Sequence, residues 1–90
     1  MTYKNEDKMH VVDATVTDII KKNIPYHSGN IKNEFKIKTE KSDKEYLCVY
    51  WGHTNIQTGY KVQLKLWKFN EEFLLVDSII ITNKEQANEN

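Results

Sequence analysis

The sequence has little of what usually cross-links a small domain. It contains one cysteine, Cys48, which excludes an internal disulfide and supplies no thiolate cluster for a structural metal. This cysteine usage agrees with a reducing compartment, so we expect a cytoplasmic protein.

Long hydrophobic runs are also missing. No apolar stretch approaches the ~20 residues that a membrane-spanning helix needs, and the N-terminal MTYKNEDK lacks the apolar core of a signal peptide. We therefore expect no membrane partner.

The motifs of common catalytic and cofactor sites are absent. The three glycines are isolated from one another, which excludes a Gly-rich phosphate loop. His10, His27 and His53 lie in different segments with no pair at a ligand spacing, so a metal site is not indicated. No arrangement of nucleophile and base can be argued from the sequence. We predict that the protein is not an enzyme and uses no metal and no other cofactor.

Arginine is absent, and all 13 basic residues are lysines, balanced by 13 acidic residues. A net charge of zero excludes a global field that draws the chain to nucleic acid. Locally, however, residues 21–41 hold six lysines and two glutamates, and residues 60–70 hold three lysines and no acid. Lysine suits phosphate, whereas reading a guanine edge is chiefly an arginine function. Any nucleic-acid contact is therefore expected to be independent of base sequence.

What the chain does have is alternation of apolar and polar residues. Five segments are predicted as strands, and their approximate ranges are 9–20, 34–40, 45–51, 60–69 and 73–82. Residues 9–83 form a single all-β domain in this interpretation, between a flexible segment 1–8 and a disordered polar tail 84–90. Five strands with short turns predict a small closed barrel or a minimal sandwich.

The stretch TGYKVQLKLWKF, residues 58–69, is similar to the entry into the fourth strand of OB-fold single-stranded DNA-binding proteins. The strand order over residues 9–83 resembles the same family. The resemblance implies a five-stranded OB-like barrel that binds single strands. The helix that usually joins strands three and four would be replaced by HTNIQT, which is too short for more than a turn. An SH3-like small barrel is the alternative.

OB-folds that bind single strands stack bases on aromatic side chains while cationic side chains follow the phosphates. Six of the ten aromatic residues lie between positions 45 and 69. The parity of the predicted strands directs three of these rings and four lysines outward, while Trp51 shares the parity of Leu47 and is expected in the core. The predicted nucleic-acid-binding set is Lys36, Lys38, Tyr46, Tyr50, Lys61, Lys65 and Trp67.

Two functions follow, and both stay open at this point. The first is non-catalytic binding of single-stranded nucleic acid, preferably DNA, with little sequence preference. The second is a protein-interaction module, either an oligomeric adaptor or a small phage-type inhibitor, that uses the aromatic face or an edge strand to bind a protein partner or another copy. A third interpretation gives the rings no binding role, because Tyr46, Tyr50 and Trp67 would then simply pack against the rest of the fold.

Overall fold

The computed structural model describes residues 10–69 and 73–83, which form a closed five-stranded barrel. The strands are β1 (His10–Pro25), β2 (Ile31–Lys38), β3 (Glu45–Trp51), β4 (Lys61–Phe69) and β5 (Leu74–Asn83), and a short 3-10 turn (His27–Gly29) joins the first two. Their order around the barrel is β1-β2-β3-β5-β4. The all-β prediction is confirmed, and the closed barrel is compatible with an OB-like fold. The predictions for segments 1–8 and 84–90 lie outside the described residues.

Strand β1 is long because it pairs with two different strands along its length. Its first part, from His10 to Thr15, pairs with β4, and the part from Thr15 to Pro25 pairs with β2. Three register shifts bend the second part around the barrel. The sequence predicted a strand ending near residue 20, and the strand in fact continues to Pro25. The bulges absorb the polar KKN stretch, and proline is tolerated at the strand end.

The loop between β3 and β4 takes the place of a β strand alongside the second part of β1. Gly59 N–H donates to Val16 O at 2.8 Å, and Val16 N–H donates to Tyr60 O at 2.9 Å. Further along, the Asn23 side chain donates to Thr54 O and accepts from Thr54 N–H. As the sequence indicated, this segment forms no helix. It covers an edge of β1 that would otherwise be open.

The core contains twelve hydrophobic residues below a tenth of full exposure, including Phe35, Ile37, Leu64 and Leu66. Ile56 reaches it from the β3–β4 loop and is only 1% exposed. The described residues include no helix long and apolar enough to cross a membrane.

Strand β3 faces the opposite way from the prediction. Ile37 pairs with Tyr46, Phe35 with Cys48 and Asn33 with Tyr50. Directly paired residues share a face of the sheet, so Tyr46, Cys48 and Tyr50 lie on the barrel interior. The prediction that both tyrosines point outward is wrong, and they pack against the core. The prediction that Trp51 is in the core is wrong too, because its side chain is 45% exposed.

Candidate nucleic-acid interface

The seven predicted residues fall on three different surfaces. Lys36 and Lys38 lie on the outer side of β2, while Lys61, Lys65 and Trp67 lie on the outer side of β4. The two strands are not neighbours, because β1 lies between them on one side of the barrel, and β3 and β5 lie between them on the other. Tyr46 and Tyr50 are interior, and Tyr46 lines a cleft of about 620 Å³ together with Ile37 and Leu66. The structure therefore does not bring the seven residues together.

The outer surface of β2 and β3, which we call the β2–β3 face, carries the most regular row of lysines. Lys32, Lys36 and Lys38 stand on it at alternate positions of β2, with Glu34 among them. Alternate residues on a strand are ~6.6 Å apart, a step suited to successive groups of an extended polymer. On β3, the partly exposed Leu47 opposes Lys36, and Val49, which is buried, opposes Glu34.

An aromatic cluster stands where β2 begins and β3 ends. The Tyr26 and Trp51 rings meet edge to face, with centroids 5.6 Å apart and an interplanar angle of 81°. Lys32 Nζ lies 5.4 Å from the centroid of each ring. Tyr26 is 39% exposed and Trp51 is 45% exposed, so the rings remain open to solvent. We define Tyr26, Lys32 and Trp51 as the aromatic cluster.

The pattern of the sequence does not reveal this cluster, for a physical reason. Tyr26 lies in the turn after Pro25, where no alternation assigns it a side, and Trp51 received the wrong parity with the rest of β3. Lys32 directly opposite Trp51 in an antiparallel pair favours an exposed face, but this pairing is visible only in the strand register and not in the sequence.

A buried polar network holds the cluster in place. Asn33, only 1% exposed, accepts a hydrogen bond from Asn23 N–H at 2.7 Å and donates to Gly52 O at 2.6 Å. Gly52 N–H in turn donates to Ile31 O at 2.8 Å. Asn33 follows Lys32 and Gly52 follows Trp51, so each of these two opposed residues is adjacent to anchored backbone. Such anchoring lowers the entropic cost of binding a ligand there.

Glu34 moderates the charge of the β2–β3 face. Its Oε2 lies 3.2 Å from Lys32 Nζ, and the two side chains remain about one-fifth exposed. Glu34 therefore competes with any anion for Lys32. The Lys36 and Lys38 ammonium groups have no ion pair within the described residues.

The outer side of β1, β4 and β5 presents a second exposed apolar surface. Val11 opposes Lys65, and Ile80 opposes Gln63 on the other side of β4. Val11 and Ile80 are each more than half exposed, and Trp67 is 39% exposed. Apolar side chains on neighbouring strands are typical of surfaces that meet another protein.

The remaining groups to consider are the Cys48 thiol and the side chains that could bind a metal ion. Burial raises the pKa of the Cys48 thiol from 9.0 to about 12, so the sulfur is protonated at neutral pH. Within residues 10–69 and 73–83, no group of three or more His, Cys, Asp or Glu side chains could hold a metal ion.

No protein-family model, no curated protein and no solved structure matches this chain.

Proposed function

We propose that the chain binds single-stranded nucleic acid on the β2–β3 face, without catalysis and with little sequence preference, DNA being the preferred strand. The observation that carries this proposal is the aromatic cluster, in which two exposed rings stand at the head of a row of lysines. In this proposal the residues that stack on bases are Trp51 and Tyr26, instead of the Tyr46, Tyr50 and Trp67 predicted from the sequence.

The two rings supply sequence-tolerant affinity. Every base has a π-face, and stacking on an aromatic side chain contributes ~1–3 kcal/mol per base. Leu47, which is partly exposed, lies on the same side of β3 as Trp51 and offers a surface for a further base or sugar, whereas Val49 between them is only 7% exposed.

The lysines supply the electrostatic contribution. Lys32, Lys36 and Lys38 are flexible point charges rather than planar forks, so they suit phosphates and carry little base information. Neutralising three phosphates of a single strand gives a slope of about −2 in the logarithm of affinity against the logarithm of salt concentration. Binding should therefore weaken with salt in spite of the chain's zero net charge.

The test is a titration of fluorescently labelled oligo-dT with wild-type protein and with Trp51→Ala, at low and at high salt. We expect the substitution to weaken binding about 5- to 150-fold, the effect of losing one stacked base. Trp67→Ala is the matched control, because this tryptophan is similarly exposed but lies on β4. Thermal melts of both variants establish that the barrel remains folded.

A second variant tests the electrostatic contribution separately. Glu34→Gln removes the ion pair with Lys32, and we expect oligo-dT to bind about 1.5- to 5-fold more tightly, a factor that corresponds to the usual strength of an ion pair near a protein surface. Asp43→Asn, an exposed change of equal charge in the turn before β3, should leave affinity unchanged. Wild-type protein that fails to bind oligo-dT at low salt contradicts the proposal, as does equal loss in Trp51→Ala and Trp67→Ala.

The second apolar surface favours another function, that of a protein-interaction module. Val11, Trp67 and Ile80 would then contact a protein partner or a second copy of the chain. A sizing column run at increasing concentration separates the two functions. Self-association that Val11→Asp abolishes, without any binding of oligo-dT, would favour this alternative.

A further inference from the structure

We propose that a bound single strand does not leave the protein at the end of β2 but crosses β1, where Lys38 and Lys61 hold one backbone phosphate between them. The inference rests on the proposed function and extends its path from the β2–β3 face toward β4. The ligand group is a phosphodiester, recognised by two ammonium groups and neighbouring hydroxyl groups.

The strand register places the two lysines on either side of one residue. Thr15 is paired with Lys38 of β2 and, on its other edge, with Lys61 of β4. Two inter-strand spacings separate the lysine backbones by roughly 10 Å. Their four-carbon stems are long enough to bring both ammonium groups above Thr15.

The same residues line one cleft, of about 550 Å³. Its lining includes the two lysines and four threonines, which are Thr15, Thr17, Thr39 and Thr82. The Thr82 hydroxyl already donates to Lys61 O at 3.1 Å, so Thr15 and Thr39 carry the hydroxyl groups that can donate to phosphate oxygens, a contact that requires no particular base. The Thr17 hydroxyl oxygen is buried and has no hydrogen-bond partner in the part of the chain that is described. A buried donor without a partner is uncommon, and because this oxygen is sealed from solvent it reaches a bound phosphate only if the Thr17 side chain rotates.

Two acidic residues at the cleft limit what it can accept. Asp13 accepts a hydrogen bond from Gln63 Nε2 at 3.4 Å, and Glu40 is exposed just after β2. With two lysines and two acids the cleft is formally neutral, so it would not attract a free anion strongly. A phosphate that the aromatic cluster has already tethered needs much less attraction, because the second contact is then intramolecular.

The distance from the aromatic cluster sets the length of strand required. Lys32 and Lys38 are separated by six residues of β2, or ~20 Å, and crossing β1 adds roughly 10 Å. A short oligonucleotide of about 4 nucleotides should therefore reach only the β2–β3 face, while one of about 12 nucleotides should also reach Lys61.

The test is a double-mutant cycle with Lys38→Ala, Lys61→Ala and the double variant, measured as the salt dependence of binding to the longer oligo-dT. If one phosphate is shared, the double variant loses ~0.7 from the slope, because only one neutralised phosphate disappears. Two independent phosphates would give additive losses totalling ~1.4, which would overturn the shared site.

Lys65→Ala is the matched control, since Lys65 lies on the same face of the same strand as Lys61 and opposes Val11 rather than Thr15. We expect Lys61→Ala to weaken the longer oligonucleotide severalfold and to leave the shorter one unchanged, with Lys65→Ala affecting neither. The path across β1 would be overturned if Lys61→Ala and Lys65→Ala weakened binding of the longer oligonucleotide equally. It would also be overturned if Lys61→Ala weakened binding of the shorter and the longer oligonucleotide equally. If Trp51→Ala weakens binding while Lys61→Ala does not, the proposed function stands and this inference fails.

Discussion

At the scale of single residues, Asn33 connects the fold to the candidate site. Its side chain is buried in the barrel wall, yet its amide group joins β1 at Asn23 to the end of β3 at Gly52. Asn23 adopts a left-handed backbone with φ of 52°, a conformation that asparagine tolerates better than most residues. The two asparagines thus fix the bend of β1 and the position of Trp51 together.

Asn33→Ala should lower the free energy of unfolding by about 1–3 kcal/mol, because it leaves Asn23 N–H and Gly52 O, both partly buried, without these partners. Chemical denaturation measures the change. Asn55→Ala, in the exposed part of the β3–β4 loop, is the control and should change stability by less than about 0.5 kcal/mol. Equal stability of the Asn33 variant and wild type would mean that water replaces both hydrogen bonds.

Alternation in the sequence separates the two faces of a strand but does not always say which face is inside. On β2 the choice is clear, since Phe35 and Ile37 alternate with lysines, and their burial agrees with the prediction. On β3 both parities are apolar, so the pattern carried no preference. The register with β2 decides the matter by placing Cys48 opposite Phe35, and register is a property of two strands together.

At the scale of elements, the β3–β4 loop contributes to the core without forming secondary structure. It runs beside β1 from Asn23 to Val16 and inserts Ile56 among the buried residues. Its length was readable from the sequence, bracketed by Gly52 and Gly59. Its role was not, because a single isoleucine in a polar loop has no periodicity from which burial can be inferred.

Ile56→Ala should therefore destabilise the protein as a core substitution does, by about 2–5 kcal/mol, although the residue lies in a loop. The neighbouring Gln57→Ala, at an exposed position, supplies the comparison. Denaturant midpoints of the two variants are the measurement. A loss below about 1 kcal/mol for Ile56→Ala would show that the loop adds little to the core.

The extent of β1 shows a second limit of sequence-based prediction. The first part alternates cleanly and was identified, whereas the part after residue 20 depends on bulges that interrupt the two-residue period. A bulge shifts the parity by one, so Lys21 and Lys22 resemble a loop when they are taken as sequence alone. Only the pairing with β2 shows that they belong to the strand.

At the scale of the whole molecule, the barrel closes through one short ladder. Among residues 10–69 and 73–83, β3 and β5 run parallel and pair at three positions, from Cys48 opposite Leu74 to Tyr50 opposite Val76. The other described ladders are antiparallel and longer. Parallel pairs are slightly less stable per residue, so this junction is expected to be the weakest in the barrel.

Because of Cys48, the free energy of unfolding of the whole barrel is expected to fall at alkaline pH. Its thiol has a pKa of about 12 in the folded chain and 9.0 when unperturbed, so the unfolded chain releases this proton first. The contribution to stability is complete below pH 9 and decreases as pH rises from 9 toward 12. Unfolding free energies measured across this range should fall more steeply for wild type than for Cys48→Ala. Parallel profiles would contradict the burial argument.

The position of that sulfur has one more consequence. Cys48 lies at the end of the three-position ladder between β3 and β5. If these two strands separate briefly in the native protein, the thiol, which is otherwise buried, becomes exposed to solvent. The rate at which an alkylating reagent modifies Cys48 in buffer without denaturant therefore measures how often β3 and β5 separate. β3 also carries Trp51. Comparing the alkylation rate of Cys48 with and without a bound oligonucleotide therefore shows whether a ligand on the outside of the barrel slows the separation of β3 from β5.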